Sequence, residues 1–189
     1  MNLHRALAAV ERFRFLDGAA ATAAGVADTV VDRARLGRLL RGSWLGHPVH
    51  PLLVTVPIGA WTSSAVFDVV FKDPATARRL VGIGLAATPP TVLAGWADYA
   101  LLNRPQQRVG LVHAASNGTA LLLFALSYRA YRRERSTAAR RYCLLGLAAM
   151  GVGGALGGHL SYAQGAGMFR WQPVRALTDR SPREYLHAA

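Results

Sequence analysis

Cysteine is nearly absent: Cys143 stands alone among 189 residues, which excludes an intramolecular disulfide framework and any cluster of thiolate metal ligands. Charge is sparse too. Charged side chains make up 17% of the chain and apolar ones 52%, with mean hydropathy +0.20. That balance suits a small integral membrane protein better than a water-soluble domain. No nucleophile elbow, phosphate-binding loop, HExxH or CxxC occurs, so the enzyme classes those motifs mark have no support. The charge that is present has mainly one sign, a formal +12. Its basic residues lie in loops and tails between apolar runs and not on a reading helix, which points to anionic lipid headgroups and away from nucleic acid. Arg5, Arg12 and Arg14 precede the run GAAATAAGVA, a weak likeness of a signal peptide. The run is poor in bulky side chains and ends at Asp28, so cleavage is not expected.

What is there is four long apolar stretches, roughly Leu52 to Phe71, Leu80 to Leu102, Val109 to Tyr128 and Tyr142 to Tyr162. Each is near the ~20 residues that a hydrocarbon core of about 30 Å requires. Their connections FKDPATARR, NRPQQR and RAYRRERSTAARR are short and polar, so neighbours should pack antiparallel as an all-α, up-down four-helix membrane bundle. Pro89 and Pro90 fall inside the second span and should kink it. Ahead of the spans, Leu36, Leu39 and Leu40 alternate with Arg33, Arg35, Arg38 and Arg41. This predicts an amphipathic helix on the membrane surface with its arginines toward phosphates, the alternative being a solvated helical arm. Three parts are expected: an arm over 1–45, a four-span domain over 46–168 and a polar tail over 169–189. Lys72, Arg78, Arg79, Arg129, Arg132, Arg133, Arg135, Arg140 and Arg141 crowd two short loops on one side. The positive-inside rule makes that side cytoplasmic in a bacterial inner membrane, with both termini on the opposite, extracytoplasmic side.

Folding the spans back and forth brings His47, His50, Asp98, His113 and His159 to that opposite face. Ionisable groups in or beside hydrocarbon cost a few kcal/mol each and usually face a bundle interior. His113 and His159 should sit at matched depth, about 5–7 Å below the surface at 1.5 Å per residue, with Asp98 level with them and His47 and His50 at the entry. Asn117 lies one turn from His113, Thr91 and Gly95 lie below Asp98, and Tyr162 follows His159 by one turn. Pro48 and Pro51 hold His47 and His50 in a stiff entry segment. Asp68, at the other end of the first span, should pair with Arg78 or Arg79. Ala149, Gly153 and Gly157, with Gly154 and Gly158, mark faces of the fourth span where another backbone or a flat ligand can approach.

Three chemistries could use this set. Two neutral imidazoles, His113 and His159, could take both axial positions of a haem b, with His47 and His50 supporting the propionates, gating a quinone or docking a partner. Alternatively, His47, His50, His113, His159 and Asp98 could bind zinc, copper or non-haem iron directly. Asp98 and the histidines could also relay protons or bind a quinone headgroup without metal. Beside these stands a purely structural reading, in which the histidines bridge helices and Asp98 pairs with Arg104, Arg108 or a histidine, each bond worth about 1 kcal/mol.

The strings WLGHPVHPLLVTVPIGAWTSSAVFD, GWADY, RVGLVHAASN and GGHLSYAQGAG, in this order and spacing across residues 42–167, resemble the bacterial membrane domain known as domain-of-unknown-function family 2231. The resemblance implies a membrane domain with no settled activity, often continued into a Rieske-type iron–sulphur domain or joined to cytochrome-like domains. Membrane electron transfer is what that association suggests. After Gly167 this sequence has only MFRWQPVRALTDRSPREYLHAA, without Cys-x-His pairs, so its redox partner would be a separate iron–sulphur or cytochrome protein.

Overall fold

The computed structural model describes residues 3–33 and 36–168; the expected polar tail and Arg35 lie outside the described residues. Among these the regular secondary structure is all helical. Helix α1 spans Leu3–Val10 and α2 spans Asp17–Arg33, with a single tight turn at Arg14–Leu16 between them. A one-turn helix α3, Gly37–Leu40, leads through a run of turns over 41–46, where an extended approach was expected, to α4, Val49–Leu53, with extended backbone only at Pro48. Helix α5, Thr55–Val69, continues α4 after a break at Val54, where Pro57 has no N–H for the Leu53 carbonyl. Helices α6, Pro74–Tyr99, α7, Arg104–Arg132, and α8, Ser136–Gly158, complete the bundle, and α8 ends in a wide turn over His159–Ala163.

Four of these units are long and apolar enough to cross a membrane: Val49–Val69, Pro74–Tyr99, Arg104–Arg132 and Ser136–Ala163. Local sequence sets where they start. Asp73 caps α6 by accepting from the Thr76 N–H at 2.9 Å with Pro74 in the first turn, and Asn103 and Gln106 form a reciprocal capping box on α7 with Pro105 behind it. The α6 helix runs unbroken through Pro89 and Pro90.

Around the bundle, α5 packs on α6, α6 on α7, α7 on α8 and α8 back on α5, the ring of an up-down bundle in which α5 and α7 are diagonal. Bulky apolar side chains such as Val56, Val66, Ile83, Leu122, Leu145 and Val152 point outward and exposed, as a lipid-facing surface requires. The interior is narrow. Trp61 of α5 and Phe124 of α7 stack across its centre at 4.0 Å with ring planes 14° apart, seated on Gly84 of α6 and Gly146 of α8.

The two hairpins α5–α6 and α7–α8 repeat one another. His50, Trp61, Ser64 and Asp68 on the first recur, at the same spacing, as His113, Phe124, Ser127 and Tyr131 on the second. On the returning helices ARRLVGIGLAA, 77–87, recurs as ARRYCLLGLAA, 139–149. The contacts recur as well: Ser64 Oγ donates to the Ala77 carbonyl at 2.9 Å and Ser127 Oγ to the Ala139 carbonyl at 2.8 Å. The bundle axis is therefore a pseudo-two-fold axis.

The two halves differ at the arginine-rich end. Asp68, 2% exposed, is bound by Arg140 of α8, with Nε 2.7 Å from Oδ2, and not by Arg78 or Arg79 as its nearness to the first turn suggests. Asp68 faces inward, where only the diagonal hairpin's Arg140 reaches it; Arg78 and Arg79 are exposed on the outer side of α6. Removing one partner of such a buried pair costs about 3–5 kcal/mol.

The N-terminal arm caps the opposite end. Leu7 and Val10 of α1 pack on Val109, Leu156 and Leu160, and α2 buries Ala20, Ala27 and Val31 while lying across α6 and α7. Arg41 donates to the Ala97 carbonyl at 3.2 Å and lies 3.6 Å from Asp28, so this arginine of the expected amphipathic helix is turned to the protein.

Two outcomes follow from this architecture. In a Cys143→Ala background, single cysteines replacing Thr76 and Thr137 should label from one side of the membrane and one replacing Arg104 from the other; labelling of all three from one side would contradict four spans. A Cβ at Gly84 would lie 2.2 Å from Trp61 Nε1, and the stacked indole cannot retreat. Gly84→Ala should therefore cost about 1–3 kcal/mol, read as a lowered midpoint of thermal unfolding in detergent.

Candidate functional site: a histidine pair on the bundle axis

His50 and His113 occupy equivalent places in the two hairpins, and each uses its ring in the same way. His50 Nδ1 lies 2.9 Å from the Thr91 carbonyl of α6, and His113 Nδ1 lies 2.7 Å from the Gly153 carbonyl of α8. A carbonyl can only accept, so in each neutral ring Nδ1 carries the proton and Nε2 keeps its lone pair. Glycine makes this reach possible. A Cβ at Gly95 would sit 3.0 Å from the His50 ring and one at Gly157 3.0 Å from the His113 ring, so both imidazoles lie flush against a bare turn of the neighbouring helix. The two rings then meet near the axis, centroids 6.4 Å apart and planes at 83°.

Asn117 supports the second histidine. Its Nδ2 donates to the His113 carbonyl at 3.0 Å and stands 3.3 and 3.2 Å from the two ring nitrogens. Near-equal distances to both nitrogens place the amide over the ring face and not on the in-plane lone-pair axis of Nε2. The same amide fills the space beside Gly153, where a Cβ would lie 2.5 Å from Oδ1.

Of the other expected members, His159 is turned away from this pair. His159 lies two residues beyond Gly157, roughly 200° further round the helix, so equal depth with His113 does not make them face each other. Its Nε2 lies 2.7 Å from Glu11 Oε1, just after α1. Asp98 sits one turn along α6 from Gly95, which itself faces His50. Arg108, one expected partner of Asp98, holds Asp17 bidentately at 2.5 and 2.9 Å and the Glu11 carbonyl at 2.6 Å. His47 is exposed in the approach to α4, and Tyr162 is 87% exposed. Among the described residues no three His, Cys, Asp or Glu side chains come together as a metal-binding group.

Sequence reasoning missed Glu11, Asp17, and the pairing of His50 with His113. The first two follow from a fold of the arm that no local pattern encodes. The pairing was legible in the recurrence of ARRLVGIGLAA as ARRYCLLGLAA, which makes the two hairpins equivalent and sets one histidine against the other.

Taken together, the lipid-facing shell, four spans and axial histidines define a polytopic helical-bundle membrane protein with a polar centre toward one end. The chain belongs to the family DUF2231, described as predicted membrane protein, whose model matches residues 46–170. No curated protein and no solved structure matches it.

The arm's attachment yields a pH dependence. Hydrogen bonding to Arg108, opposed by partial desolvation, holds the Asp17 carboxyl below its ordinary range. A depressed carboxylate stabilises the folded form above its unfolded pKa of about 3.9 and ceases to do so as pH falls through the lower folded value. The arm should thus stay docked at neutral pH and loosen only below about pH 4. Limited proteolysis within residues 12–16 should accelerate in that acidic window, and Asp17→Asn should give the same fast cleavage at pH 7; equal rates for the variant and the parent would refute the clasp.

Proposed function

We propose that this protein is a haem-binding membrane module for electron transfer, in which His50 and His113 would hold the iron. The observation that carries the reading is the shared geometry: both Nδ1 atoms lie at hydrogen-bond distance from carbonyls of the neighbouring helix, which leaves the two Nε2 atoms for a ligand. A metal-bound histidine normally has its other ring nitrogen tied in this way. The ring spacing is consistent with it. The two centroids are 6.4 Å apart with ring planes at 83°, near enough for both imidazoles to act on one group.

The donor count favours haem over a bare ion. Zinc in proteins takes three or four side-chain ligands, and no such group occurs among the described residues. Haem would bring most of its own iron ligands and, when bound, supply one-electron chemistry, asking of the protein only the one or two donors that His50 and His113 would provide. Here Thr91 and Gly153 would orient those donors, Asn117 would fix the His113 ring, and Gly95 and Gly157 would keep both rings at the correct reach. Trp61 and Phe124 would close the centre to water from the far side. Copper or non-haem iron held by the same two imidazoles, and a quinone bound beside them, are the competing occupants. An extracytoplasmic position for this end, and a separate iron–sulphur or cytochrome partner, accord with the loop charges and with the redox association noted for the family.

Protein purified in mild detergent after expression with ample haem should show a low-spin b-type spectrum with about one haem per chain. His50→Ala and His113→Ala should each abolish it, whereas His159→Ala should keep it. Colourless protein carrying stoichiometric copper or iron would shift the assignment to a direct metal centre, and protein free of every cofactor would overturn the reading.

A further inference from the structure

The duplicated hairpins are unequally charged at the arginine-rich end. In one interface Arg140 of α8 meets a carboxylate supplied by the protein, Asp68 of α5. In the equivalent interface the arginine is Arg78 of α6 and the residue in the place of Asp68 is Tyr131 of α7, a phenol. Arg78, Arg79 and Arg132 are exposed and take part in none of the ion pairs found among the described residues. They surround a cleft between the start of α6 and the end of α7, about 340 Å³ in volume, whose remaining wall is Gly82 and Tyr128. Gly82 gives the cleft its depth, since a Cβ there would come within 3.2 Å of the Tyr128 ring.

We infer that this cleft binds the phosphate of an anionic phospholipid, which completes from outside the charge pairing that Asp68 completes from inside in the other half. The chemistry is that of a phosphodiester anion: guanidinium groups bind phosphate oxygens bidentately, and basic pockets between membrane helices recognise anionic headgroups. Location selects lipid over free phosphate as the source. The cleft opens at the ends of two spans, where Ile83 beside it is exposed on the lipid-facing surface, so a headgroup can sit among the arginines while its acyl chains follow the outside of α6. Phosphatidylglycerol is the simplest headgroup with that charge.

The test is competition for a fluorescent phosphatidylglycerol bound to the full-length protein in neutral detergent. Unlabelled phosphatidylglycerol should displace the probe and phosphatidylcholine should not. Arg78→Gln and Arg132→Gln should each weaken binding about fivefold, the loss expected for one basic group at an anionic surface, while Arg104→Gln at the other end should leave it unchanged. All three positions are exposed, and a monodisperse elution profile confirms that each variant is folded. Displacement by inorganic phosphate at the same concentration as the lipid would reassign the cleft to a soluble anion. Equal competition by phosphatidylcholine, or wild-type binding by Arg78→Gln, would overturn the proposal.

Discussion

Cross-helix hydrogen bonds from side chain to main-chain carbonyl hold this bundle in register. In hydrocarbon, burying an apolar surface against another helix gains little, because lipid tails are as apolar as leucine; packing contacts and hydrogen bonds must specify how helices associate. Here the donors are His50, Trp61, Ser64, His113 and Ser127, each reaching a carbonyl on the helix that returns beside it. Such a bond forms only if the backbones come close, and the small residues at the contacts, Gly84, Gly95, Gly146 and Gly157, make that possible. Ser64 and His50 lie near opposite ends of the first span, so between them they fix both its translation and its rotation against α6.

The placement of the histidines follows from this constraint. A ring that donates through Nδ1 to its own hairpin is aimed and immobilised by that bond. It is also a structural bond in its own right. A substitution at His50 or His113 that removes the ring therefore loosens a helix contact whatever else the ring does. His159 belongs to a different arrangement, the clasp that fastens the arm across the end of the bundle through Glu11, with Arg108 and Asp17 beside it.

Span number, helix class and the location of the polar residues were legible in the sequence because they depend on one-dimensional quantities: run length, loop length and depth along a helix. The partners were not, because they depend on azimuth. Equal depth suggested His113 with His159, yet the turn of α8 that faces His113 is Gly153 to Gly157, and His159 has rotated past it. Proximity in sequence likewise suggested Arg78 for Asp68, while the buried carboxylate faces the diagonal hairpin. The surface-helix reading rested on Leu36, Leu39 and Leu40, of which Leu36 and Leu39 are exposed; the cover that α1 and α2 make over the bundle end with Leu7, Val10, Ala20, Ala27 and Val31 had no such local pattern to signal it. Small residues signalled close approach without saying what approached; at Gly95 and Gly157 it was a histidine ring and at Gly153 the Asn117 amide.

The Trp61–Phe124 stack also decides what kind of traffic the axis can carry. Two rings 4.0 Å apart with nearly parallel planes leave no space for a water molecule between them, and their facing surfaces offer no lone pairs to hand a proton along. A hydrogen-bonded wire from the histidines to the Asp68–Arg140 pair is thus interrupted in mid-membrane. The stack therefore stands as an aromatic partition between the histidine pair at one end and the Asp68–Arg140 pair at the other.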